Sequence, residues 1–231
     1  VKAYHNQTAI PLIKPLLANN TKIMSLQNGV EIGSTLSKYF GNEHVLPGAA
    51  YIEAFIESPG VVKQQGKVVN IVFGTATPKS HDSALAILDT FRSSNISCSL
   101  SDNIDRDLWH KFVFVVSLAG PTTVSRLNLA RLLSYAEGLE LVSSTLTEAI
   151  EVGRRLNIPL DKDIFNVTMS SLTDNAVDLK ASMQTDLEKG QPLELEALNG
   201  AVVRLSNLTK SLIPSNKIIY SLLKPFVNGH I

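Results

Sequence analysis

Residues 107–120 read DLWHKFVFVVSLAG, an apolar segment that contains a single lysine, Lys111. On a helix this lysine has apolar neighbours at Leu108, Phe112, Val115 and Val116. An ammonium group in such surroundings must reach water, pair with an opposite charge or take part in chemistry. Considered alone, Lys111 could be a snorkelling side chain whose stem covers apolar surface. The segment therefore makes Lys111 the first candidate functional residue without deciding its role.

The hundred residues before this segment alternate between helical and strand patterns. Helices are predicted over 7–17, 30–40 and 80–92, and strands over 22–26, 45–57, 61–64, 67–73 and 96–100. The middle strands form a meander, because turn residues at Ser58-Pro59-Gly60 and Gln65-Gly66 separate them. This mixture indicates an α/β domain with an antiparallel extension.

After Ser101 the strand patterns stop. Asp102-Asn103 is a suitable helix start, with acidic Asp105 in the first turn. Further helices are predicted over 137–156, 161–175, 192–208 and 215–223. The sequence thus predicts an α/β domain over 1–101 and a helical domain over 102–231.

Composition narrows the class of protein. The 231 residues include 44% hydrophobic residues and equal numbers of basic and acidic ones, 21 of each. A neutral balance argues against nucleic acid and anionic membrane surfaces as partners. The longest apolar run, 112–120, is too short to span a bilayer. Cys98 is the only cysteine, which suits a reducing compartment, so we expect a cytoplasmic protein.

Several chemistries lack their sequence signatures. The five histidines are scattered without the spacing of a metal site, so no metal is expected. Cys98 lies in a predicted strand and is best interpreted as a small buried side chain. No Gly-x-Ser-x-Gly turn and no phosphate-binding Walker loop is present.

Three further polar residues occur where a ligand could bind. Asn28 follows a predicted buried strand, at the edge where open α/β sheets bind ligands, although Asn-Gly is also a common turn. Glu194 begins a predicted helix, where a carboxylate also interacts favourably with the helix dipole. Ser182 could be a helix-capping hydroxyl. Each has an ordinary structural explanation, and spacing alone leaves the choice open.

Taken together, the segments resemble the ketopantoate reductase (2-dehydropantoate 2-reductase) family. The resemblance lies in the order and spacing of six segments: 1–4 (VKAY), 27–30 (QNGV), 108–112 (LWHKF), 180–184 (KASMQ), 194–200 (ELEALNG) and 213–225 (IPSNKIIYSLLKP). It implies a Rossmann-like nucleotide-binding domain followed by a helical domain similar to the C-terminal domain of 6-phosphogluconate dehydrogenase. It also implies an active site between the two.

The resemblance further implies an activity and its residues. Members of the family reduce 2-dehydropantoate to (R)-pantoate with NADPH, a step towards pantothenate and coenzyme A. Lys111 matches the catalytic lysine, which also binds the substrate, Asn28 matches a residue that touches both cofactor and substrate, and Ser182 matches a substrate-binding serine. The remaining matches are on the cofactor side: Lys2, Ala54 and Glu194.

Two departures from the family pattern keep alternatives open. Many members carry asparagines four and eight residues after the lysine, where this chain has Val115 and Ala119. The substrate could therefore be another 2-oxo acid or an imine. The chain also opens without the first strand and the Gly-x-Gly-x-x-Gly turn of a Rossmann domain, so it reads as a truncated one. We therefore expect these 231 residues to bind NADPH weakly. An alternative is that they form a non-catalytic module that has lost the cofactor site. A homodimer is compatible with the pattern.

Overall fold

The computed structural model describes residues 1–177 and 179–229, without the side chains of residues 65–68. The chain divides into two compact units, Val1–Leu108 and Trp109–Ile231. This division falls inside a long helix, Ile104–Ser125, which begins directly after the last strand. The domain boundary at Ser101-Asp102 stays a prediction.

The first unit alternates helices and strands, as its sequence predicts. Its elements are α1 (Asn6–Ile13), β1 (Ile23–Ser25), α2 (Ile32–Phe40), β2 (Val45–Ser58), β3 (Val61–Phe73), α3 (His81–Ser93) and β4 (Cys98–Leu100). Short 3₁₀ helices occur at Ala3–His5, Lys14–Leu16, Asn42–His44 and Pro78–Ser80. The strands form one mixed sheet in the order β1-β2-β3-β4. The β1–β2 and β3–β4 pairs are parallel, whereas β2 and β3 are antiparallel.

Helices pack on both faces of this sheet because successive residues of β2 point in opposite directions. Val45 lies in a cluster with Ile10 of α1 and Leu36 of α2. Leu46, the next residue, lies with Phe73, Ala84 and Leu88 instead, against α3. This alternation makes the first unit a layered α/β structure.

One strand prediction was wrong. The segment expected to contain two strands is the single strand β3, which pairs with β2. The predicted turn at Gln65-Gly66 falls on residues whose side chains lie outside the described part. The pairing with β2 shifts register between Ile52 and Glu53, so an irregularity in the ladder replaces the expected turn.

The rest of the chain is helical. Its helices are α4 (Ile104–Ser125), α5 (Leu129–Leu133), α6 (Ala136–Arg155), α7 (Ile164–Asp174), α8 (Ser182–Glu188), α9 (Asn199–Thr209) and α10 (Pro214–Leu223), with 3₁₀ turns at Glu194–Ala197 and Lys224–Phe226. The start of α4 lies where predicted, since Asn103 Oδ1 accepts a hydrogen bond from the Arg106 amide at 3.1 Å. The expected fold class, α/β followed by all-α, is confirmed.

The helix predicted over 192–208 is interrupted. A 3₁₀ turn precedes α9, and the backbone of Leu198 leaves the helical region with ψ of −105°. The Glu196 carbonyl, which a continuous helix would pair with the amide of Gly200, accepts from Arg204 Nη2 at 2.6 Å instead. Glu194 therefore lies in a separate short turn and not at the start of a long helix.

Buried polar groups join three helices of the second unit. Glu148 of α6 accepts hydrogen bonds from the backbone amides of Ser215 and Asn216, both at 2.8 Å, and so caps α10. The Asn216 side chain also accepts from Asn199 of α9 at 3.0 Å. The buried carboxylate of Glu148, which the sequence analysis did not single out, thus fixes the neighbouring helix.

Helices α5 and α6 meet at Gly138, where a side chain would not fit. A Cβ atom there would lie 2.0 Å from the Leu132 carbonyl oxygen. We expect Gly138→Ala to lower the free energy of unfolding by about 1–3 kcal/mol despite the better helix propensity of alanine. Urea denaturation measures this value, with Glu140→Ala on the exposed side of α6 as the control. Equal stability of the two variants would contradict the close approach.

Candidate functional site

Lys111 lies in the second turn of α4 and is half-buried. Phe112 and Val116 beside it are fully or almost fully buried, at 2% and 0% exposure. Burial disfavours the charged form of the ammonium and lowers its pKa from 10.5 to about 8. Lys111 is thus a cation at neutral pH that gives up its proton far more readily than an ordinary lysine.

Glu194 supplies the opposite charge. Its residue is only 6% exposed, between the buried Leu193 and Leu195. Its charge raises the pKa of Lys111 and so partly offsets the effect of burial. The amide of Leu193 donates to the Val227 carbonyl at 3.0 Å, which anchors the turn that carries Glu194. The structure therefore brings together two of the residues that the sequence singled out.

Asn28 lies between β1 and α2, just after a strand that runs parallel to its neighbour. Gly29 follows with a φ of +100°, a conformation that favours glycine, so the chain turns sharply here. The half-buried Asn28 therefore occupies the carboxyl edge of the sheet, where ligands bind in open α/β folds. The turn interpretation and the binding-site interpretation of Asn-Gly are compatible.

Lys2 is held close to this turn by a residue that sequence reasoning did not single out. Gln27 Nε2 donates to the Val1 carbonyl at 2.9 Å, which joins the residue before Asn28 to the residue before Lys2. The Lys2 carbonyl accepts from the His5 amide at 2.9 Å. The first unit thus brings Lys2 and Asn28 to the same edge of its sheet.

Ala54 and Ser182 occupy more open positions. Ala54 is exposed on the outer half of β2, opposite Gln64 of β3. It is not among the partners of the Gln27 side chain, which are Asn6 and Val1. Ser182 is exposed as the first residue of α8, directly after buried Ala181. The N-cap residue of α8 is Ala181, so Ser182 is not the capping hydroxyl that the sequence allowed.

Two other kinds of site were checked. Over residues 1–177 and 179–229, no three His, Cys, Asp or Glu side chains lie together as metal ligands would. Within the same described ranges, every helix is too short or too polar to cross a bilayer.

Comparisons with known proteins place these features in a family. The family profile described as ketopantoate reductase PanE/ApbA matches residues 1–78, and its C-terminal counterpart matches residues 103–227. The chain belongs to the ketopantoate reductase family.

Individual relatives are distant. The uncharacterized oxidoreductase YkpB of Bacillus subtilis is 24% identical over 225 residues, which cover 97% of this chain and 74% of YkpB. A 2-dehydropantoate 2-reductase of Streptococcus pyogenes serotype M1 is 22% identical over 191 residues, 82% of this chain and 62% of that enzyme. This chain thus spans less than two thirds of the streptococcal protein.

Solved structures share the fold. A PanE/ApbA family ketopantoate reductase from Ralstonia eutropha JMP134 is 25% identical with a TM-score of 0.87, over 98% of this chain and 73% of that one. The structure of D-mandelate dehydrogenase with NADH and anilino(oxo)acetate gives a TM-score of 0.89 at 22% identity. The match covers 98% of this chain and 73% of that one. The relatives named here are oxidoreductases.

The electrostatic coupling between Glu194 and Lys111 can be tested without any substrate. In Glu194→Gln the negative charge is lost, so we expect the pKa of Lys111 to fall below about 8. NMR titration of ¹³Cε-labelled lysine measures it, with the Lys111 signal assigned by its loss in Lys111→Met. Glu137→Gln, an exposed change on α6, should leave the pKa alone. A Lys111 pKa that stays the same or rises in Glu194→Gln would contradict the pairing.

Proposed function

We propose that the protein reduces 2-dehydropantoate to (R)-pantoate with NADPH, in the cytoplasmic route to pantothenate and coenzyme A. The observation that carries this proposal is the half-buried Lys111, whose pKa lies near 8 beside the buried Glu194. Family membership supports the reaction class. The Staphylococcus aureus ketopantoate reductase, of similar fold, is described as dimeric, and we extend a homodimer to this chain as part of the proposal.

Lys111 has the properties that this reduction requires. As hydride adds to the keto carbon, negative charge develops on the substrate oxygen. An ammonium within hydrogen-bond distance stabilises this charge and donates a proton from Nζ. A lysine with the ordinary pKa of 10.5 would hold its proton more tightly, whereas one near 8 is still largely protonated at neutral pH and releases it more easily.

The cofactor side fits the groups of NADPH. Asn28 can donate to and accept from a ribose or carboxamide group at the carboxyl edge of the sheet, and the Lys2 ammonium suits a phosphate. We assign Ala54 and Glu194 to the same side, and Ser182 to substrate binding. When bound, NADPH supplies the hydride. Glu194 keeps Lys111 charged for the proton transfer, since its carboxylate raises the pKa of that lysine.

The proposal predicts that substitution of Lys111 lowers turnover strongly while the protein still folds. In the full-length protein, Lys111→Ala and Lys111→Met should lower kcat by about 10²–10⁴-fold, the usual contribution of a general acid. Steady-state turnover measures this, with circular dichroism confirming the fold. Near-normal turnover in both variants would show that Lys111 only snorkels.

The pH dependence follows from the same pKa. Because the folded pKa of Lys111 is about 8 and the unfolded one 10.5, the unfolded chain binds more protons between these values. Stability contributed by this group therefore increases as the pH rises through that window. Turnover behaves oppositely, since only protonated Lys111 acts as an acid, and kcat/KM should fall above about pH 8. A flat profile from pH 6 to pH 10 would contradict this role.

A second candidate is a related reductase for another 2-oxo acid or an imine. Val115 and Ala119 lie one and two turns after Lys111 on the same face of α4, and Ala119 is buried. Neither Val115 nor Ala119 can form a side-chain hydrogen bond with a substrate hydroxyl. A panel of 2-dehydropantoate, 3-methyl-2-oxobutanoate and aromatic 2-oxo acids, compared by kcat/KM, separates the candidates. The leading proposal requires 2-dehydropantoate to be the best substrate, whereas a preference for the apolar acids would establish the second.

A further inference from the structure

Gln27 and Asn6 form a reciprocal pair of side-chain amides in the first unit. Gln27 Nε2 donates to Asn6 Oδ1 at 2.8 Å, and Asn6 Nδ2 donates back to Gln27 Oε1 at 3.0 Å. The second hydrogen of Gln27 Nε2 goes to the Val1 carbonyl at 2.9 Å. Both side chains are half-buried, and together they connect segments 21 residues apart. Each donor of the Gln27 amide is therefore used.

These bonds fix two segments that the proposed function places on the cofactor side. The backbone is held on both sides of the Lys2 side chain. The Val1 carbonyl accepts from Gln27 Nε2, and the Lys2 carbonyl accepts from the His5 amide. Asn28 lies between Gln27 and Gly29, whose φ of +100° restricts the turn from the other side. The Gln27 side chain thus contributes to the relative position of Lys2 and Asn28.

The pair is also electrically neutral. Two amides can satisfy each other without placing a charge beside the Lys2 ammonium or beside an anionic ligand bound there. A carboxylate in place of either amide would face a carbonyl oxygen that it cannot pair with, because an ionised carboxylate only accepts. This distinguishes the pair from an ordinary surface contact, in which Gln and Glu are interchangeable.

We infer that Gln27 is a positioning residue for cofactor binding: through Asn6 and the Val1 carbonyl it holds Lys2 at the distance from Asn28 that NADPH requires. The inference rests on the proposed function, since it assumes that Lys2 and Asn28 bind the cofactor. Gln27 itself acts only through its neighbours, as its amide is turned towards Asn6 and Val1.

The test compares Gln27→Glu with Gln7→Glu in the full-length protein. Gln7 is exposed on α1, next to Asn6, so the control adds the same charge without removing a hydrogen bond of the pair. In Gln27→Glu two donated bonds are lost, and we expect the Kd for NADPH, measured by fluorescence titration, to rise about tenfold. The KM for NADPH should rise with it while kcat at saturating NADPH changes less than about threefold. Gln7→Glu should bind as the wild type does.

A double substitution shows whether Gln27 acts through Lys2. Lys2→Ala should weaken NADPH binding by itself, and adding Gln27→Glu should weaken it little further, because the residue being positioned is already gone. Additive effects, or a Gln27→Glu protein that melts earlier but binds NADPH normally, would overturn the inference and leave Gln27 a structural residue. If Gln27→Glu does not fold, Asn6→Ala breaks the same pair and gives the same comparison. A wild-type protein that binds no NADPH would overturn the proposed function as well, whereas normal wild-type binding with unaffected variants would overturn this inference alone.

Discussion

The energetic balance on Lys111 is the constraint on which the candidate site depends. Removing an ammonium from water is unfavourable, and the low pKa of this lysine reflects that cost. The carboxylate of Glu194, itself almost fully buried, offsets part of it. Neither group would be tolerated as well alone, since a buried charge without its partner is strongly destabilising. The pair remains partly unfavourable for the fold, and that residual cost is what makes the lysine a better acid.

The local structure around Glu194 follows from this requirement. A continuous helix over 192–208 would give Glu194 the direction set by helical geometry. Instead Arg204 takes the Glu196 carbonyl, the backbone of Leu198 leaves the helical region, and Leu193 bonds to Val227. The carboxylate can then lie among buried leucines beside Lys111. The irregular turn thus carries the buried carboxylate whose charge raises the pKa of Lys111.

The sequence predicted the parts of the molecule that local rules determine. Asn103 caps α4 where expected because capping acts over three residues. The chain turns at Asn28-Gly29, after the end of β1 at Ser25, because Asn-Gly is itself a turn signal. The break at Leu198 was missed because its cause, Arg204, lies eight residues from the Glu196 carbonyl that it binds, inside the same apolar pattern. The continuous β3 was missed because a register shift and a turn look alike in sequence.

The sequence singles out candidate site residues but not the residues that support them. Lys111 lies in an apolar segment of the sequence, and in the structure the charge of Glu194 raises its pKa. Gln27 could not be found in this way, because its partner Asn6 lies 21 residues earlier in a helix that Pro11 makes irregular. Amide pairs have no periodicity, so only coordinates reveal them.

The face of α4 separates two properties that a reductase must combine. Lys111 carries a charge on one turn of α4. Val115 and Ala119 lie on the same face one and two turns later, and their apolar side chains can contact a ligand only by packing. A substitution at either apolar position can therefore change which side chain the site accepts while the acid remains in place. If an amide that hydrogen-bonds a substrate hydroxyl is removed, the reaction can still occur. The site then no longer favours substrates that carry that hydroxyl. Under the proposed function, Lys111 remains the proton donor while the preferred 2-oxo acid depends on the residues one and two turns further along α4.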